Sequence, residues 1–123
     1  MRKFTGLCLI TRDVLRLSAF YRDLLEVEMH GDQVHAELFT QGAGLAIFAE
    51  DGMEQMAPHS MQGAGYGSFT IEFQVENVDR EAERLLRMGV PIIKQPTTYP
   101  WGRRSTWFRD PDGNIVNFYE VVK

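Results

Sequence analysis

Glu72 stands in the most regular strand pattern of the chain. Phe69, Ile71, Phe73 and Val75 are apolar, while Thr70, Glu72 and Gln74 are polar. Strand side chains alternate between faces. If the apolar set packs under a helix, Thr70, Glu72 and Gln74 project together from the opposite face. A carboxylate there becomes a general base if it is desolvated. The plainer reading is a partly solvated carboxylate paired with an arginine or lying at an interface. Residues 34–39 mostly alternate in the same way. With Val34, Ala36 and Leu38 packed, His35, Glu37 and Phe39 face outward. His35 is then either a ligand contact or an ordinary exposed or hydrogen-bonded histidine. His35, Glu37 and Glu72 make a conceivable metal set, disfavoured because three groups on suitable sheet faces do not establish ligand geometry.

Asn117 and Tyr119 join this surface from the last strand, and Cys8 and Phe48 from others. Aromatic walls carrying a few polar groups have the character of a small-molecule pocket. Cys8 reads most simply as a small buried apolar residue, since nothing near it in sequence activates a thiolate. Arg103, Arg104 and Arg109 are a solvated strand face, a receiver for an anionic ligand, or partners for acids across an interface. Trp101, Met53, Met56, Met61 and Tyr66 form either a soft pocket wall or an oligomer or packing contact.

The elements that position these residues follow from pattern. Residues 4–11 are a short apolar strand, and Asp13 is an N-cap. Val14, Leu17, Phe20/Tyr21, Leu24 and Leu25 form a helical stripe. Short strands follow near 27–30, 34–39 and 45–48. Residues 50–67, rich in glycine and without a clear period, read as a loop. The order then starts again. A strand at 69–75 is followed by the N-cap Asn77 and a stripe of Val78, Ala82, Leu85 and Leu86. Gly89 provides a helix end. A hairpin turns at Asp110-Pro111-Asp112-Gly113-Asn114, where Pro111 presets φ and Gly113 supplies a positive one. The chain is thus expected to be one domain of two similar modules, about 1–50 and 68–123, joined by a loop at 51–67. Each module places one helix on one face of four strands and leaves the other face open. Two open faces can enclose a shared cup.

The 123 residues suffice for one domain with a core. A formal net charge of −4 argues against nucleic acid or an anionic membrane as a partner. No apolar run approaches membrane-spanning length. The single cysteine excludes an intrachain disulfide and fits a reducing compartment. The polar residues Thr11-Arg12-Asp13 interrupt the first apolar run too early for an export signal, so a cytoplasmic location is expected.

The duplicated βαβββ order resembles the vicinal oxygen chelate superfamily, the glyoxalase, bleomycin resistance and extradiol dioxygenase group. The residues that carry the likeness are Ala19-Phe20-Tyr21-Arg22-Asp23-Leu24-Leu25, Pro100-Trp101-Gly102 before an arginine-rich strand, and Arg109-Asp110-Pro111-Asp112-Gly113-Asn114. The resemblance implies an α+β fold in which two βαβββ modules form a curved eight-stranded mixed sheet around a cup. It also implies a homodimer. Catalytic members hold a divalent metal with about four side chains, and those positions fall here at Gly6, Ala46, Thr70 and Asn117. None is a good ligand for zinc, iron or manganese. The expectation is therefore no metal and no other cofactor. The protein then binds a small molecule, an antibiotic or metabolite, as the bleomycin-binding members do. The alternatives are a lyase, isomerase or dioxygenase using a relocated metal or an acid/base carboxylate such as Glu72, and a non-catalytic interaction domain.

Overall fold

Val14, Leu17, Ser18, Tyr21 and Leu24 bury one face of helix α1 (Val14–Leu25). Asp13 caps it, its Oδ1 accepting from the Arg16 amide at 3.0 Å. In the computed structural model, which describes residues 1–123, the helix covers one face of a four-stranded sheet. The strands are β1 (Gly6–Thr11), β2 (Met29–Gly31), β3 (His35–Leu38) and β4 (Gly44–Ala49), in the spatial order β1-β4-β3-β2. β1 and β4 run parallel, and the other neighbours are antiparallel. Leu9, Ala36, Leu38, Leu45 and Ile47 are buried and form the core of this unit, Met1–Ala64, with the helix. Each large apolar side chain buried there contributes roughly 1.5–3 kcal/mol.

The second unit, Gly65–Lys123, repeats the plan. Helix α3 (Val78–Arg87) buries Val78, Ala82 and Leu85. Its sheet contains β5 (Thr70–Gln74), β6 (Ile92–Tyr99), β7 (Arg103–Arg109) and β8 (Ile115–Val121), in the order β5-β8-β7-β6. β5 and β8 are parallel. Asn77 caps α3 through the Arg80 amide at 3.1 Å. The Glu120 carboxylate accepts from the Val78 amide at 3.0 Å, which ties the helix start to β8. Phe108 and Phe118 meet edge to face in the core, with ring centroids 4.9 Å apart.

The expected βαβββ order is present in both units, as two four-stranded mixed sheets, neither of which closes. Three expectations change. The supposed loop at 51–67 begins as helix α2 (Glu50–Met56). This helix has no side-chain cap and buries no residue fully, so it leaves no apolar stripe in the sequence. Leu86 is 68% exposed, because α3 buries a narrower face than its apolar residues suggest. Val34 and Phe69 lie outside their strands and are exposed instead of packed.

Candidate functional site

The open face of the first sheet carries the residues expected from alternation. His30, Glu37, Ala46 and Cys8 form one row across it, since each is the cross-strand partner of the next. His35 stands opposite Phe48 and meets its ring edge to face at 5.9 Å. Phe39, which is exposed, meets the His30 ring in the same way at 5.1 Å. Helix α2 seats Gly52 against Phe48, and a Cβ added at Gly52 would lie 2.7 Å from the ring's Cε1. A concavity of about 400 Å³ opens beside this row, lined by Gly6, Cys8, Glu37, Phe39, Gly44 and Ala46 among others. Two glycines and an alanine line it, so side-chain volume is missing where the sheet would otherwise be filled. Cys8 is exposed, not buried as expected. The surrounding sheet still desolvates its thiol enough to raise the pKa, so it stays protonated at neutral pH and is a weak nucleophile.

The open face of the second sheet is richer. Asn117 pairs with Glu72 on β5 and with Trp107 on β7. The Asn117 Nδ2 donates to Glu72 Oε1 at 3.4 Å. Lys94 sits opposite Trp107, with Nζ 4.8 Å from that ring's centroid and 4.6 Å from that of Tyr99. The same Nζ donates to Ser105 Oγ at 2.6 Å, to the Ser105 carbonyl at 3.2 Å and to the Tyr99 hydroxyl at 3.1 Å. All three ammonium donors are used, so Lys94 braces the face and is not a receiver for an anion. Tyr119 lies under the Arg103 guanidinium at 3.9 Å. Trp101, 70% exposed, stacks on Tyr99 with centroids 4.6 Å apart. Thr70 and Gln74 are exposed on β5.

The three arginines have separate tasks. Arg103 covers Tyr119, Arg104 pairs with Asp79, and Arg109 donates to the Gly113 carbonyl at 2.8 Å. Met53 and Met56 belong to α2, whereas Met61 and Tyr66 follow it. Lys94, Ser105 and Trp107 are the site residues that the sequence reading missed. Trp107 was countable from the turn, since Arg109↔Ile115 leads by steps to Trp107↔Asn117. Lys94 was not, because bulges on either side of it shift the register of β6.

The positions where the resemblance puts metal ligands fail a donor test. Gly6 and Ala46 have no donor atom. A Cβ at Gly6 would meet the Gly44 backbone, with the carbonyl carbon at 2.9 Å, so no larger side chain fits that backbone. Thr70 offers only a hydroxyl, and Asn117 only a neutral amide oxygen, both poor ligands beside imidazole, thiolate or carboxylate. Neither unit gathers three or more His, Cys, Asp or Glu side chains that could hold a metal ion. These residues do not fit zinc, iron or manganese.

The sequence pattern of the Glyoxalase/Bleomycin resistance protein/Dioxygenase superfamily matches residues 3–118. The chain belongs to this superfamily. It is 25% identical to protein YraH of Bacillus subtilis over 127 residues, covering 98% of this chain and 99% of that protein. A crystal structure of a glyoxalase/bleomycin resistance protein/dioxygenase family enzyme from Burkholderia phytofirmans has the same fold. Its TM-score is 0.86 at 20% identity, covering 98% of this chain and all of that one. A lactoylglutathione lyase from Agrobacterium tumefaciens matches with a TM-score of 0.75 at 22% identity, over 96% of this chain and 92% of its own. At these identities the solved structures speak for the fold. No helix of the chain is long and apolar enough to cross a membrane.

Proposed function

We propose that this superfamily member is a metal-independent small-molecule-binding protein, taking an antibiotic or metabolite, and that it works as a cytoplasmic homodimer. The observation that carries the reading is the substitution of the family's ligand positions by Gly6, Ala46, Thr70 and Asn117, two of which line the concavity of the first unit. Side chains that would hold a metal are replaced by space. In the first unit, Phe39 beside that space suits a flat or apolar ligand and Glu37 supplies an orienting polar group.

Metal analysis combined with thermal unfolding tests the proposal. Purified protein is expected to carry no stoichiometric zinc, iron, manganese or nickel. Aromatic or peptide-like drugs are expected to raise Tm in the presence of a chelator, through binding to the folded state alone. Stoichiometric metal that is lost on Glu37→Ala or Glu72→Ala would overturn it in favour of a relocated metal enzyme.

A further inference from the structure

The concavity of the first unit carries a single charged group. Glu37 is the one Asp, Glu, Lys, Arg or His among the residues that line it. Thr5 and Cys8 bring the only other polar side-chain atoms, and the rest of the lining is glycine, alanine, leucine and Phe39. No hydrogen bond or ion pair within the chain reaches the Glu37 carboxylate. Its cross-strand neighbour His30 turns Nε2 to Glu28 Oε2 at 3.2 Å, and its other neighbour, Ala46, has no donor. Glu37 is exposed, so water satisfies it in the free protein. A carboxylate accepts from several donors at once.

A ligand seated in the concavity strips that water from a carboxylate with apolar surroundings. A neutral or anionic ligand leaves the charge without a partner, which is costly. An ammonium replaces the lost water with charge-assisted hydrogen bonds. The row of Cys8, Ala46 and Glu37 runs across β1, β4 and β3. With strands spaced at about 4.8 Å, the backbones of Cys8 and Glu37 stand roughly 10 Å apart across Ala46. A flat ring lying over that small residue spans from the carboxylate to the thiol. We infer that this concavity selects organic monocations, an ammonium on a flat apolar body, with Glu37 as the counter-charge. This rests on the small-molecule reading above and names its ligand class.

Cys8 supplies the test. It is the single cysteine of the chain, it is exposed, and it lines the same concavity, so its modification reports occupancy. The probes are 2-naphthylethylamine, the alcohol of the same shape, and 2-naphthylacetate. The amine is expected to slow the reaction of Cys8 with methyl methanethiosulfonate saturably. The alcohol should need a roughly tenfold higher concentration for the same protection, the ratio for one lost charge-assisted hydrogen bond. The anion should give none. Glu37→Gln, at an exposed position, should erase the advantage of the amine, and salt should shrink it. Equal protection by amine and alcohol overturns the inference and leaves the binding-protein reading standing. So does a preference for the amine that survives Glu37→Gln, or protection by the anion. If none of the probes protects Cys8, the inference also falls, and the binding-protein reading falls with it only where no drug raises Tm either.

Discussion

Arg104 clasps Asp79 with two hydrogen bonds, Nε to Oδ2 at 3.0 Å and Nη2 to Oδ1 at 2.7 Å, and so pins the first turn of α3 to β7. Its Nη1 also donates to Thr98 Oγ1 at 3.0 Å, which brings in β6. The pair is bidentate, the geometry in which a guanidinium and a carboxylate match best. Hydrogen bonding from Arg104 is the main cause that lowers the Asp79 pKa below its usual value, with its charge adding to the effect.

The sign of the resulting pH effect is fixed. A depressed carboxylate pKa stabilises the folded state above the unfolded value and loses that contribution as pH falls through the folded value. Both groups are close to solvent, so the contribution is small, about 0.5 kcal/mol. Asp79→Asn should therefore lower the urea midpoint slightly at pH 7. The difference from the parent protein should fade as pH falls through the lowered Asp79 value, below the usual carboxylate range, and shrink in 1 M salt. A difference that persists at low pH would mean that Asp79 acts through packing instead of charge.

The Asp110–Asn114 turn depends on one buried carboxylate. Asp110 is 4% exposed, and its Oδ1 accepts from the amides of Asp112 and Asn114, each at 2.9 Å. Its Oδ2 accepts from Asn114 Nδ2 at 2.9 Å. Asp110→Ala strands these donors and should cost about 2 kcal/mol or more. Asp112→Ala, at an exposed position of the same turn, should stay within about 0.5 kcal/mol. Denaturant unfolding of the two variants checks the contrast. Because the turn sets the β7–β8 register, Asp110→Ala should also perturb the Trp107 indole signal.

Helix α3 ends on Gly89 at φ +76, with nothing within 4 Å of an added Cβ. The cost of Gly89→Ala is then purely that of left-handed backbone, about 1 kcal/mol. It should appear as a lower denaturation midpoint with an unchanged m-value. The first unit ends α1 the same way but with Glu26, at φ 56 and ψ 45. The duplicated plan thus keeps the conformation and not the residue.

Much of this architecture is legible in the sequence, because it rests on local periods. The alternation of 69–75 yields β5, one residue too long at each end, and the caps Asp13 and Asn77 mark where the helices begin. The open-face positions of His35, Glu37, Glu72 and Asn117 follow from alternation alone. Helix α2 is not legible, because it buries no full stripe and contains Gly52. The Lys94–Trp107 contact is not legible either. It depends on two bulges in β6, and a bulge inverts the face of every residue beyond it. Gly6 shows a third limit, since its closeness to Gly44 is a property of the β1–β4 pairing and of no local pattern.

That closeness leads to a sharp expectation. Gly6→His would install an imidazole where the family resemblance places a metal ligand. The new Cβ would collide with the Gly44 backbone, and the Gly44 amide, bonded to the Thr5 carbonyl at 2.8 Å, holds that strand in place. The first unit must then shift β1 against β4, at an overpacking cost of about 2 kcal/mol. Zinc should not compensate, because Ala46, the other family position in this unit, still has no donor atom. Thermal unfolding with and without added zinc measures both effects. A Gly6→His variant that is as stable as the parent and gains Tm with equimolar zinc would show that β1 and β4 separate easily. The loss of the family's metal chemistry would then lie in the missing side chains alone and not in the backbone.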